Sequence, residues 1–104
     1  MSFDMDSIMM QARKMQERMK QVQDELARER VESVAGGGMV KVVANGQSDI
    51  IEVRISPSAL DAGAEMLSDM VLVAVADALK KSREIAQNKL GQITGGLNLP
   101  GLNF

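Results

Sequence analysis

Apolar residues recur at Met5, Ile8, Ala12, Met15, Met19, Val22 and Leu26, in steps that alternate 3 and 4. That spacing is a heptad seam over about three repeats and predicts an amphipathic helix from about Met5 to Arg30. Asp4 or Asp6 can cap its start, and Gln, Glu, Lys and Arg, all good helix formers, fill its outer side. Asp24 and Arg28 stand four apart in the favourable order. The period then changes. Val31–Ala35, Met39–Ala44 and Ser48–Ile55 read as three short strands. In the last of these Ile51, Val53 and Ile55 alternate with Glu52 and Arg54, which predicts one buried and one wet face. Gly36-Gly37-Gly38 suits a turn or bulge with positive φ between the first two strands. Asn45-Gly46 between two apolar runs predicts a two-residue type I′ hairpin turn, with positive φ at both residues. Ser56-Pro57 ends the sheet, since proline cannot donate to a ladder. A second helical pattern runs from about Ala64 to Ile93. It is apolar round most of its circumference from Met66 to Leu79, then narrows to Ile85, Ala86, Leu90 and Ile93. A helix buried all round that then becomes amphipathic leaves the core as an arm. Gly95-Gly96 terminates it, and residues 97–104 (LNLPGLNF) carry the breakers of a flexible tail.

The predicted order is helix, three antiparallel strands, helix: an α+β fold in one domain, residues 1–94, followed by the tail at 95–104. The helices are longer than the sheet can cover. Helices of about 26 and about 30 residues span about 39 and about 45 Å, against about 20 Å for a six-residue strand. Their apolar seams call for a second copy of the chain, and a two-fold homodimer is the commonest solution.

Composition narrows the chemistry. The 104 residues include neither Cys nor His, and the aromatics are Phe3 and Phe104 alone. Disulfides, thiolate nucleophiles, the usual zinc sites and His-based acid–base catalysis are excluded. No base–nucleophile pair stands out, so no enzyme, no cofactor, no metal and no small-molecule substrate is expected. The core must be aliphatic and rich in Met, of which there are nine. The acidic opening is unlike a secretory signal, and no apolar run approaches a membrane span; a cytoplasmic protein is expected.

Net charge is −2, which by itself speaks against a nucleic-acid partner. The distribution reverses that reading. Arg13, Lys14, Arg18 and Lys20 oppose only Glu17 within residues 9–23, and Lys80, Lys81, Arg83 and Lys89 oppose only Glu84 within residues 79–104. Residues 49–77 hold six acids against the single base Arg54. The eight cations are candidate phosphate contacts, and their ordinary alternative is a solvated helix face. Lys14 and Arg18 are like charges four apart, a small cost with no folding benefit in view. Lys80, Lys81, Arg83 and Lys89 lie toward a helix carboxyl end, but the dipole effect fades beyond the last turn and accounts for Lys89 alone, while Asp77 could pair with either Lys80 or Lys81. Glycines 36–38 lack the Lys-Ser/Thr of a phosphate loop and precede a strand, so they read as a turn.

The ordered set of segments resembles the YbaB/EbfC family of small bacterial nucleoid-associated proteins over nearly the whole chain. It comprises Met9-Met10-Gln11-Ala12-Arg13-Lys14-Met15-Gln16, AGGGMVKVVANGQ at 35–47, Ile55-Ser56-Pro57-Ser58, Val75-Ala76-Asp77-Ala78-Leu79-Lys80-Lys81, and Thr94-Gly95-Gly96-Leu97 with Pro100-Gly101. One departure is Ala62-Gly63-Ala64 before Glu65, where family members usually carry more charge. The resemblance implies an α-β-β-β-α fold, a tweezer-shaped homodimer, duplex DNA as partner, a place in the nucleoid and no enzymatic activity. Without aromatics to stack on bases, duplex is favoured over single strands, and phosphate contacts give weak sequence readout. The alternative from a different class is a helix-docking interaction module indifferent to DNA, its seams receiving a partner helix.

Overall fold

The computed structural model describes residues 4–95; of the tail expected at 95–104, Gly95 instead closes the last helix, and the remainder, like Phe3, lies outside the described residues. Helix α1 (Met5–Arg28) leads into strand β1 (Val31–Ala35), a one-turn 3-10 segment (Gly36–Gly38), strands β2 (Val40–Ala44) and β3 (Ile50–Ile55), a second 3-10 segment (Pro57–Ala62) and helix α2 (Ala64–Gly95). The three strands form one antiparallel sheet in the order β1-β2-β3. The expected element order holds, with boundaries shifted by at most two residues.

Local chemistry accounts for the element ends. Asp4 caps α1, its carboxylate accepting from the Ser7 amide. At the other end Arg30 donates to the carbonyl oxygens of Ala27 and Glu29, serving groups that the finished helix leaves unpaired. Gly36, Gly37 and Gly38 all take positive φ, at 61, 67 and 97°. The triple glycine is thus the turn expected of it, in a conformation other residues rarely adopt.

The core lies between the sheet and one face of α2. Val40, Val42 and Ala44 of β2 and Ala74 and Ala78 of α2 are completely buried, with Val31 and Met70 beside them. Ala74, Ala78 and Ser82 give α2 a stripe of small side chains against the strands, all without exposure. Val22 and Leu26 of α1 meet Ile93 of α2 in a second, smaller cluster, edged by Met15, Ile85, Ala86 and Leu90.

Two expectations about burial are corrected. First, Ile51, Val53 and Ile55 are not covered: they remain 49, 44 and 43% exposed. Register puts Val53 opposite Val42 and Ile55 opposite Val40, hence on the core side of the sheet. The helix, however, lies over β1 and β2 and scarcely reaches β3. Second, α2 is not buried all round, since Met66, Leu72 and Val73 are exposed on its outer side. The α1 seam, as its overhang beyond the sheet leads one to expect, is covered only at its carboxyl end; Met5, Ile8 and Met19 are exposed. The described part of α2 stops opposite Met15, so among the described residues nothing continues along the seam. The Cα radius of gyration, 20.0 Å, exceeds the value of about 13 Å typical of a compact domain of this length.

The Ser33 hydroxyl is buried without a hydrogen-bond partner. Ser33→Ala should therefore leave urea stability unchanged or raise it by up to about 1 kcal/mol, whereas Val42→Ala, which opens a hole in the same face, should lower it by about 2 kcal/mol.

Candidate nucleic-acid interface

The eight cations separate into two kinds. Arg13, Lys14, Arg18 and Lys20 stand along the middle of α1, all exposed, and none forms an ion pair among the described residues. The Glu17–Lys20 and Asp24–Arg28 pairs that spacing allows do not form, so Arg28 adds another unpaired cation that the charge count by segments overlooked. On α2, Lys80 and Arg83 are likewise exposed and unpaired among the described residues. These side chains keep their full charge for a ligand.

Lys81 and Lys89 are engaged elsewhere. The Lys81 ammonium lies 3.2 Å from the Asp77 carboxylate, one turn back, and donates at 2.8 Å to the Glu32 carbonyl, tying α2 to β1. The Lys81 ammonium holds the Asp77 carboxyl below its usual range, against a smaller upward push from desolvation. Lys89 reaches from α2 to two carboxylates of α1, Glu29 at 3.1 Å and Glu25 at 3.3 Å. Those two partners, Glu29 first, raise the Lys89 pKa, and desolvation only partly offsets them. Spacing along the chain could not distinguish these two lysines from their neighbours, because their partners lie on other elements or depend on rotamer.

α1 and α2 run antiparallel where they touch: Lys89 faces Glu25 and Glu29, and farther along α2 Gln92 and Ile93 share a cleft with Arg18, Gln21 and Val22, farther back on α1. The α1 cations consequently stand near and beyond the described end of α2, while Lys80 lies about 20 Å back along that helix. One chain therefore presents two separate basic groups, not one patch. Between the helices a cleft of about 190 Å³ is lined by Arg18, Gln21, Val22, Glu25, Lys89, Gln92 and Ile93. Of the two cations in that lining, Lys89 faces carboxylates and Arg18, at the rim, does not.

The YbaB/EbfC DNA-binding family matches residues 1–97. The chain belongs to that family. A protein of Pelotomaculum thermopropionicum named nucleoid-associated protein is 48% identical over 103 residues, covering 98% of each chain. One of the same name from Legionella pneumophila is 40% identical over 97 residues, covering 93% of this chain and 87% of its own length. Among solved structures, the uncharacterized protein HP0035 from Helicobacter pylori superposes with a TM-score of 0.81, covering 89% of this chain and 99% of that one. At 22% identity it supports the fold. No helix among the described residues is long and apolar enough to cross a membrane.

The two bridges have opposite pH signatures. A lysine whose folded pKa is raised stabilises fully below its unfolded value, about 10.4, and that contribution disappears as pH rises through the folded pKa. A carboxyl with a lowered folded pKa stabilises above its unfolded value and loses that contribution as pH falls through the folded one. Lys89→Met should thus flatten the alkaline limb of a plot of urea midpoint against pH and leave the acid limb in place. Asp77→Asn should do the reverse.

Proposed function

We propose that the protein binds duplex DNA as a homodimer, through phosphate contacts from the exposed cations of α1 and from Lys80 and Arg83, in the bacterial nucleoid. The observation that carries this reading is the division of the cations: Lys81 and Lys89 are held in bridges, while six of the eight candidates are exposed and unpaired among the described residues. Like charges held on one face without carboxylate partners do nothing for the fold and suit a polyanion. The family's DNA-binding description and the relatives' names support the same partner and place. The working unit is residues 1–94, and sequence readout is weak because phosphates position a protein without specifying bases.

Support for the homodimer comes from the open side of the sheet. Val53 and Ile55 continue the apolar core surface past the edge of α2. Leu72 and Val73, 67 and 59% exposed, add a second apolar strip on the helix. Apolar surface of this continuity marks an interaction site in a soluble protein, and a two-fold lets the α2 of each copy meet the bare β3 of the other. Two copies double each basic group, which suits a tweezer-like arrangement of four helical arms. The helix-docking alternative retains one observation in its favour, the uncovered face of Met5, Ile8 and Met9. Salt separates the two, since phosphate binding weakens steeply with ionic strength and an apolar helix contact does not.

Arg13→Glu combined with Lys14→Glu should weaken binding to a random duplex for all sequences alike. The slope of log affinity against log salt should become shallower by roughly one for each phosphate no longer engaged. Folding stability should change by no more than about 0.5 kcal/mol per site, because both side chains are exposed. Unchanged affinity in this variant and in Lys80→Glu with Arg83→Glu would leave the basic faces as solvated surface.

Sedimentation equilibrium at micromolar concentration should give about twice the chain mass of 11.2 kDa. Val53→Asp combined with Leu72→Asp should shift the protein toward that single mass while circular dichroism retains both helices. A parent that sediments at the monomer mass would refute the dimer.

A further inference from the structure

The direction of the α1 arm is set at one place. Between β2 and β3 the chain folds over the last turns of α1 and grips its backbone. The Gly46 amide donates to the Leu26 carbonyl at 2.8 Å, and the Asn45 side-chain amide reaches the Ala27 carbonyl at 3.4 Å. The Gln47 side-chain amide donates at 3.0 Å to the Gln23 carbonyl and lies 3.3 Å from the Gln23 side-chain oxygen. Three successive residues therefore engage three carbonyls across the final turns of one helix. The grip is rigid from its own side. Asn45 is buried, its side-chain oxygen accepting from the Gln47 and Asp49 amides at 2.9 and 3.0 Å and its amide donating to the Asp49 carboxylate at 3.1 Å. The Ser48 amide donates to the buried Ser82 hydroxyl of α2 at 2.9 Å, which anchors the loop to the second helix.

Gly46 is required here for space. A Cβ at this position would stand 2.8 Å from Leu26 Cδ2, 2.9 Å from the Leu26 carbonyl oxygen and 3.1 Å from Leu26 Cα. Two of those three atoms are backbone, so α1 itself would have to move. Beyond this loop α1 is held by the Val22–Leu26–Ile93 cluster and the Lys89 bridge, and its first half, which carries Arg13 and Lys14, touches little among the described residues.

We propose that residues 45–47 form a clamp that fixes the direction of the α1 arm, making Gly46 and Gln47 positioning residues for DNA that never touch it. The proposal rests on the DNA-binding reading above. A small rotation at the clamp is magnified along the arm: Arg13 lies about 20 Å from Leu26 along the helix, so a tilt of about 10° moves its level by about 3 Å, close to the 3.4 Å rise per nucleotide of one DNA strand. Neither residue is charged, so their replacement leaves the electrostatics intact.

The test combines amide hydrogen exchange with duplex affinity by fluorescence polarisation on the full chain. Gly46→Ala and Gln47→Ala should each speed exchange across the last turns of α1 while β1 and β2 keep their protection. Random-duplex affinity should fall by roughly five- to tenfold, as expected for removing one or two net hydrogen bonds of the clamp. If Gly46→Ala also loses strand protection, Gln47→Ala decides. The chain has no cysteine, which permits a rescue. Gln23→Cys with Gln47→Cys should bind weakly, and a short bismaleimide joining the two thiols should restore parental affinity. The proposal is overturned if α1 exchange is unchanged in both variants, if α1 loosens with affinity unaffected, or if the bridged protein binds no better than the unbridged one. A parent that fails to bind duplex at all identifies the DNA reading as the part in error.

Discussion

A helix with its side chains is about 10 Å across, and strands lie about 4.8 Å apart. One helix therefore covers two strands of a sheet and cannot cover three. The stripe of Ala74, Ala78 and Ser82 seats α2 deeply on β1 and β2, and that close seat leaves the core-side residues of β3 bare. The rest of the assembly follows from this mismatch. Val53 and Ile55 are in register with the most deeply buried residues of β2, so their side chains belong to the same apolar layer and differ only in lacking a cover. The layer is complete only when a second surface is laid against it.

Much of the architecture was legible in the sequence, and the reasons it was differ between elements. The 3-4 alternation of the α1 seam and the alternation from Ile51 to Ile55 are properties of the backbone period, and both elements appear where the pattern puts them. Periodicity tells which side of an element is apolar. It does not tell whether anything lies against that side, which is why β3 and the outer side of α2 were expected to be covered. Asn45-Gly46 shows a second limit. The dipeptide marks the β2–β3 connection correctly, yet neither residue has positive φ; that conformation falls on Ser48, at 63°. The glycine answers to the approach of Leu26, about 20 residues upstream in the sequence, and no local turn rule contains that contact.

The candidate site was legible in the same partial way. Charge segregation located the two basic regions, because clustering is visible in one dimension. Which lysines are free was not visible, since Lys89 finds Glu25 and Glu29 on another helix and Lys81 finds the Glu32 carbonyl on a strand. The lysines that bridge elements serve the fold, and the unpaired ones are those the fold has no use for. The assignment of a cation to structure or to a ligand thus depends on partners 49 to 64 residues away in sequence.

A chain with net charge −2 can still present a cationic surface because distance and salt act together. At physiological ionic strength exposed charges are screened over about 8 Å. Asp69 and Glu65 sit near the start of α2, more than about 20 residues before Ile93, which places them about 35 Å along the helix from the point where Met15 and the α1 cations lie. That is several screening lengths. Of the nearer carboxylates, Glu25, Glu29 and Asp77 already face lysines in short contacts, and Glu17 stands alone among four cations. Arg13, Lys14, Arg18 and Lys20 consequently offer a phosphate a net positive charge, little reduced by the distant acids that dominate the total. An elongated chain makes this possible, whereas a compact one would bring the acids closer to the arm. The same departure from compactness that leaves the apolar layer open also isolates the basic faces, so association and anion binding trace to one geometric cause: helices too long and too narrow for the sheet they cover.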